Sequence, residues 1–328
     1  MPTILGREIG SIGFGLMGFT WRANPVPHSE AIKTMKCALE AGANMWNAGT
    51  FYGPPTANSI HLLQAYFTQY PSDAPKVLLS VKGGMNVAKH SADSSKANLT
   101  RDVDDALKIL GGLKSIDIFQ CGRVDPEIPI EETMEVMKGF VKEGKIGGIG
   151  LSEVGAKTIR RAAKIHPIAA VEVEFSLFSP DILENDVAAT CAELGIPIVA
   201  YSPLGRGFLT GQIKTYADVT EQHKFGPRFA EENFAKNLEL VETIRRVAEK
   251  KGVTSAQLAL GWVRAYSGRD GNPIIVPLPG ATKVERVEEN CKLVDLTEEE
   301  LKEIGDILKS MPVKGARVPK FIEHLAWA

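Results

Sequence analysis

The sequence predicts an α/β fold, a single (β/α)8 TIM barrel, on three observations. Short apolar, β-branched runs recur from the first residues almost to the last. Nearly all are followed by a loop and a stretch with helical periodicity, and they number eight, the count that closes a barrel. The runs lie at residues 11–15, 45–49, 77–82, 116–122, 146–152, 170–175, 196–202 and 274–278. Between them, helices over 30–41, 131–143 and 185–194 stop at Gly42, Gly144 and Gly195, because glycine supplies the left-handed residue that ends a helix. A helix over 284–293 completes the last unit. Thr297-Glu298-Glu299-Glu300 then reads as the capping box of one more helix with a solvated, charged face. An N-terminal β-hairpin and extra C-terminal helices complete one domain over 1–328.

Two segments depart from the repeat. Residues 205–235 form a long loop rich in Gly, Phe and charge, of the kind that serves as a lid or stays irregular. The tail, 312–328, carries Phe321, Leu325 and Trp327. It is expected to pack on the domain, with closure over the barrel mouth as the functional alternative.

Composition narrows the function. The 328 residues carry 38 Lys and Arg against 40 Asp and Glu, a net charge of -2, which disfavours nucleic acid or an anionic membrane as partner. No apolar run approaches the roughly 18 residues of a membrane span, and the start lacks a signal-peptide core. The expected location is therefore the cytoplasm, with the nucleus open as well; nothing marks the oligomeric state. Cys37, Cys121, Cys191 and Cys291 are scattered singly and read as reduced, mostly buried thiols. The six histidines, at 28, 61, 90, 166, 223 and 324, form no i, i+4 pair, so no metal is expected.

Gly13-Phe14-Gly15-Leu16-Met17-Gly18 matches the G-x-G-x-x-G dinucleotide fingerprint, but its context is wrong. Residues 19–27 hold two prolines and no helical period, so the helix whose N-terminus would face a pyrophosphate cannot begin before about residue 29.

Chemistry in such a barrel sits at the C-terminal ends of the strands. Tyr52 follows the second strand and Lys82 ends the third. A tyrosine hydroxyl, with a pKa near about 10, donates slowly at neutral pH, and a nearby ammonium favours its phenolate. Together they suit carbonyl reduction, in which hydride reaches carbon while a proton reaches oxygen; neither side chain supplies hydride, so a nicotinamide or flavin is required. The alternative is that Tyr52 packs beside its strand and Lys82 only pairs with a carboxylate. Cys121, near the end of the fourth strand, is a less favoured nucleophile because no histidine accompanies it in the pattern.

Several stretches resemble the aldo-keto reductases. They are Trp46-Asn47-Ala48-Gly49-Thr50-Phe51-Tyr52-Gly53, Lys82, Ile116-Asp117-Ile118-Phe119-Gln120 and Gly147-Gly148-Ile149-Gly150-Leu151-Ser152. Tyr201-Ser202-Pro203-Leu204-Gly205-Arg206-Gly207 and Pro277-Leu278-Pro279-Gly280-Ala281, the latter with Arg286-Val287-Glu288-Glu289-Asn290, follow in the same order and spacing. The resemblance implies NADPH without a Rossmann domain, Tyr52 as proton donor and Lys82 as its electrostatic partner. It implies further that Tyr201 stacks on the nicotinamide and that Ser152 and Glu172 lie near the carboxamide, although Glu172 stands where Gln is usual. Ser202, Leu204, Gly205, Arg206 and, from the long loop, Arg228 are implied cofactor contacts. Gly280 is a further implied cofactor contact, while Thr282, Lys283 and Arg286 would surround the adenosine 2′-phosphate, with Glu289 and Asn290 at the adenine.

Two departures from the family pattern matter. Asn47 replaces an Asp that normally pairs with the lysine; it can accept a hydrogen bond from Lys82 but brings no charge. Gly122 replaces a His, which is expected to leave room in the substrate pocket for a substituted aromatic aldehyde. Gln120-Cys121-Gly122-Arg123-Val124-Asp125-Pro126 and Trp46-Asn47 are most similar to the fungal pyridoxal reductases. That similarity implies pyridoxal as the aldehyde substrate, with Arg123 and Glu174 as contacts for its hydroxyls. A broad-specificity aldehyde reductase is the first alternative. A regulatory NADPH-binding subunit like the potassium-channel β-subunits is the second.

Overall fold

The barrel closes through glycine. Gly15 of β1 (Phe14–Gly15) and Gly280, just past β8 (Ile275–Leu278), form a parallel bridge. The N–H groups of Gly13 and Gly15 donate to the carbonyls of Pro277 and Pro279 at 2.9 and 3.0 Å. A Cβ at Gly13 would meet Leu278 Cδ1 at 2.7 Å and Met45 O at 3.2 Å, so a side chain there would force its neighbours to shift. The first two glycines of the apparent dinucleotide fingerprint thus close a barrel. The computed structural model describes residues 2–89 and 91–328; the expectations for Met1 and His90 lie outside these.

Between β1 and β8 the strands follow in sequence order, all parallel: β2 (Met45–Gly49), β3 (Leu78–Gly83), β4 (Ile116–Cys121), β5 (Ile146–Ser152), β6 (Ile168–Glu174) and β7 (Ile198–Tyr201). All eight expected runs are strands. The helices outside them are α1 (His28–Glu40), α2 (Ser59–Gln69), α3 (Lys96–Leu110), α4 (Ile130–Lys142), α5 (Ala156–Ala163) and α6 (Val187–Glu193). Then come α7 (Glu231–Lys251), α8 (Ser255–Ala265), α9 (Val284–Cys291) and α10 (Glu298–Ser310). Gly42, Gly144 and Gly195 have φ of +86, +72 and +65°, the predicted helix stops. Thr297 Oγ1 accepts from Glu300 N–H at 3.3 Å and Thr297 N–H donates to Glu300 Oε2 at 2.8 Å, so the capping box forms. One short turn was unexpected: Met17–Thr20 is helical, and α1 begins at His28, directly after Pro27.

Period two sorts the barrel interior into layers. At the bottom, Met45, Leu78, Ile118, Ala170, Val199 and Val276 pack together. Ile4 and Ile9 from the N-terminal hairpin, Thr3–Ile4 paired with Arg7–Glu8, plug this end. Two residues further along the strands the same faces carry Asn47, Ser80, Gln120, Glu172 and Tyr201, and two further still Lys82 and Glu174. The floor is apolar and the upper layers are polar.

The long connection differs from expectation, while the tail packs on the domain as expected, with Leu325 buried, and in doing so also reaches the mouth. The connection 205–235 folds into 3₁₀ turns at Gly205–Thr210, Tyr216–Asp218 and Pro227–Phe229 and an α-turn at Glu221–Lys224, and α7 starts inside the expected loop. Its phenylalanines supply the reason: Phe208 meets Phe178, Phe229 and Phe234 edge-on, with ring centroids 5.4, 5.6 and 5.4 Å apart. The tail takes the alternative course as well, across the mouth. Arg317 pairs with Glu153, just past β5, at 2.7 Å and with Glu174 at the end of β6 at 3.2 Å, and the Trp327 ring covers its guanidinium at 4.4 Å. Gly155 N–H donates to Ala328 O at 3.0 Å. A Cβ on Gly155 would sit 2.5 Å from Trp327 O, so glycine is what lets the tail lie this close.

Candidate active site

The turn after β2 is held from three sides. Asn58 caps α2 by accepting from Ile60 and His61 N–H and donates to Thr50 O at 2.8 Å. Thr20 Oγ1 donates to Tyr52 O at 2.6 Å, and Ser59 N–H donates to the same carbonyl at 3.0 Å. Gly53, at φ +108°, has no room for a Cβ against Thr20. This frame buries Tyr52, leaving it 6% exposed, with its ring packed against Phe51 and Trp21. The Lys82 ammonium reaches it from β3 and donates to Tyr52 Oη at 3.1 Å.

Lys82 has a second partner, one that corrects the reading of Glu172. The Glu172 carboxylate accepts from Lys82 Nζ on Oε1, and on Oε2 from Asn47 Nδ2 at 2.9 Å and Gln120 Nε2 at 2.7 Å. Three of the roughly four acceptor sites of its carboxylate are therefore taken by residues of β2, β3 and β4. The physical reason is desolvation: an ammonium buried without a counter-charge is costly, and Glu172 is the carboxylate paired with it. Asn47 Oδ1 does accept from Lys82 Nζ, at 3.1 Å, as expected. The missing charge is supplied from β6.

The protonation state also differs from expectation. Burial pushes the Tyr52 phenol above its ordinary value; Lys82 pulls it down without overcoming burial, and Glu172 adds to the rise. Burial pulls Lys82 down, but Glu172 and then Tyr52 outweigh it, so the ammonium is held above its ordinary value. The pair rests as a neutral phenol beside a charged lysine.

Gly122 does not leave the expected room. A Cβ there would lie 3.0 Å from Phe51 Cζ and 3.1 Å from Met85 Cγ, so these two side chains already fill the space an imidazole would take. Arg123 Nη1 donates to Gly122 O at 2.5 Å. Glu174 is engaged by Arg317 and, at 3.6 Å, by Arg206, so it is no free contact for a substrate hydroxyl. Burial pushes the Cys121 thiol up to about 12, which makes it a poor nucleophile. Cys121 and Cys191 are buried, whereas Cys37 and Cys291, expected to be buried, are only half so.

The residues expected around a cofactor fall into groups. Ser152, 2% exposed at the end of β5, has a hydroxyl with no hydrogen-bond partner. Tyr201 donates to Glu153 Oε1 at 2.9 Å, and its ring centroid lies 5.8 Å from Lys82 Nζ. Past β7, Ser202, Gly205 and Arg206 have φ of +50, +56 and +56°, bending the chain beside Leu204 so that Gly205 and Arg206 line a cleft with Arg228, Arg317 and Glu174. Arg228 Nη1 donates to Ser179 Oγ at 2.5 Å, while its Nε is buried without a partner. At the seam, Gly280 is followed by Thr282 and Lys283 before α9, on which Arg286 pairs with Glu289 at 2.6 Å and Asn290 is buried. An unpartnered hydroxyl and unpartnered guanidinium N–H beside strand ends fit a dinucleotide carrying an amide and phosphates.

Sequence reasoning missed Trp21, Gln120 and Arg317 as parts of this site. Gln120 was recoverable, since it shares the inward face of β4 with Ile118. Trp21 and Arg317 lie outside the strands, where no period marks them.

A barrel without a Rossmann unit, with a buried Tyr–Lys pair at its strand ends, defines an NAD(P)-dependent oxidoreductase acting on aldehydes and alcohols. Residues 11–309 match the model of the Aldo/keto reductase family, and the chain belongs to that family. It is 42% identical to "Probable pyridoxal reductase 2" of Schizosaccharomyces pombe, over 98% of each chain. A Saccharomyces cerevisiae protein with pyridoxal reductase in its name is 38% identical, over 93% of this chain and 94% of that one. Among solved structures, a glycerol dehydrogenase of Gluconobacter oxydans superposes with a TM-score of 0.79 at 25% identity, covering 96% of both chains.

Proposed function

We propose that this protein reduces pyridoxal to pyridoxine with NADPH. The carrying observation is the buried Tyr52 hydroxyl 3.1 Å from the Lys82 ammonium at the end of the barrel strands. When bound, the nicotinamide supplies hydride to the aldehyde carbon. Tyr52 holds the proton for the carbonyl oxygen, burial keeps that proton on the phenol until it is taken, and Lys82 stabilises the phenolate left behind. The exposed edge of Trp21 beside Tyr52 and Phe51 offers an aromatic wall suited to a flat heteroaromatic aldehyde. The pyridoxal reductase names of two relatives support the same substrate. In favour of NADPH over NADH, Lys283 and Arg286 at the start of α9 offer cations to a 2′-phosphate; Ser152 Oγ offers its unused hydrogen-bonding capacity to the carboxamide of either cofactor.

The test is oxidation of NADPH at 340 nm with pyridoxal, against simple aromatic aldehydes and against NADH, in the wild type and in Tyr52→Phe. Preferred kcat/KM for pyridoxal with NADPH, and a loss of about 10²-fold or more in Tyr52→Phe, are expected. Equal kcat/KM for all aromatic aldehydes would make this a broad-specificity reductase. Cofactor binding with no turnover of any aldehyde would favour a regulatory subunit.

A further inference from the structure

We infer that Glu172 is a positioning residue for the proton donor, acting through Lys82 to keep the Tyr52–Lys82 pair in its working charge state. The inference rests on the reductase reading for its catalytic consequence, but not for its electrostatics. Lys82 is 6% exposed and Glu172 1%, so bulk water screens neither. The groups that face the ammonium are Tyr52 from the turn after β2, Asn47 from β2, Glu172 from β6 and the Tyr201 ring from β7. Arg123, after β4, acts on Tyr52 from further away. Of these, Glu172 alone carries negative charge. Glu153, the next carboxylate outward past Tyr201, is itself neutralised by Arg317.

The carboxylate is also held in place. Asn47 and Gln120 both donate to Oε2, and Gln120 donates to Ser80 Oγ at 3.1 Å, which leaves Oε1 facing the lysine. Without the charge on Glu172, burial would act on Lys82 unopposed. The ammonium would give up its proton nearer neutrality, and the phenolate formed in turnover would lose its stabiliser. Because Asn47 Oδ1 already lies 3.1 Å from Lys82 Nζ, a carboxylate at position 47 would reach the same ammonium from the adjacent strand, β2.

That geometry predicts a reversal of sign. Glu172→Gln should lower kcat/KM at least tenfold and move the basic limb of its pH profile down by about one unit or more. Asn47→Asp alone should also lower activity, because its carboxylate would stand against Glu172 Oε2 with one ammonium between them. In the Glu172→Gln background, however, Asn47→Asp should restore both activity and the limb. A second readout needs no turnover: tyrosinate absorbance at 295 nm, with Tyr52→Phe subtracted, reports the pH at which the Tyr52 phenol ionises beside Lys82 in whichever charge state the lysine then holds. With the lysine already neutral, burial acts on the phenol unopposed, so that pH should rise in Glu172→Gln and return in the double variant. An unmoved titration in Glu172→Gln, or a double variant that fails to restore it, overturns the inference. Should Glu172→Gln not fold, the double variant set against the wild type decides, and a displaced titration there is equally fatal. A wild type that turns over no aldehyde would sink the proposed reaction, while the 295 nm titration would still settle the role of Glu172.

Discussion

Two buried charge clusters sit one above the other in this barrel, and they are built differently. The lower one, Lys82 with Glu172, Asn47 and Gln120, comes entirely from strands and balances one cation against one anion. The upper one brings Glu153 and Glu174 on strand ends together with Arg317, which arrives from a tail more than a hundred residues away in sequence. The lower cluster is fixed as soon as the barrel forms, whereas the upper one holds only while the tail stays down. Position in the fold therefore divides a rigid proton-transfer floor from a rim that closes over it.

The largest effect should come from breaking the floor. Lys82→Met leaves Glu172 buried without a cation, which should cost about 3–5 kcal/mol in urea unfolding. The same change should remove about 10²-fold or more of the reductase activity. Lys82→Met combined with Glu172→Gln should recover most of the stability and none of the turnover. Stability that stays low in the double variant would mean that the floor is held by packing rather than by its ion pair.

The rim should yield less. Arg317→Ala strips the partner from Glu153 and Glu174, but loosening of the tail admits water, so a loss of about 1–3 kcal/mol is expected. The effect should depend on pH. Burial pushes Glu153 up, but the hydrogen bonds and charge of Arg317, with help from Arg123, hold its carboxyl below the ordinary value. A depressed carboxyl stabilises the fold above its unfolded pKa of about 4.3, and that stability disappears as pH falls through the lower folded value. Stability curves of wild type and Arg317→Ala should therefore lie apart near neutrality and converge in acid. A constant gap down to low pH would show that Arg317 acts by packing under Trp327.

The same division decided what could be read from sequence. All eight strands were legible because short apolar runs recur between helical stretches, and Tyr52 and Lys82 were legible because strand ends locate the chemistry of a barrel. Glu172 was found but without its lysine: sequence order places it on β6 and says nothing of Lys82 on β3, three strands away in the sheet. Period two along each strand does put Asn47, Gln120 and Glu172 in one layer, so the network was implicit once registers were known. Arg317 had no such signal. A lone arginine in an irregular tail gains its meaning only from where the tail lands, and the phenylalanine cluster that orders 205–235 is equally a product of tertiary contact.

The smallest effect should come from Gly122, just past β4 beside Phe51 and Met85. Its φ is not in the left-handed region, so the backbone tolerates an L side chain and only space is at issue. A methyl group would stand 3.0 Å from Phe51 Cζ and 3.2 Å from Met85 Sδ; Met85, half-buried on a short hairpin, can yield the few tenths of an ångström required. Gly122→Ala should therefore cost less than about 1.5 kcal/mol. It should also change kcat/KM by less than about tenfold, the equivalent of roughly 1.4 kcal/mol of barrier. Gly122→His must displace both Phe51 and Met85 and should destabilise by more than the alanine variant, with Phe51 pressed toward Tyr52 and Trp21. If thermal unfolding instead showed Gly122→His as stable as the wild type, an imidazole would fit there after all, and the space beside Tyr52 would belong to the substrate.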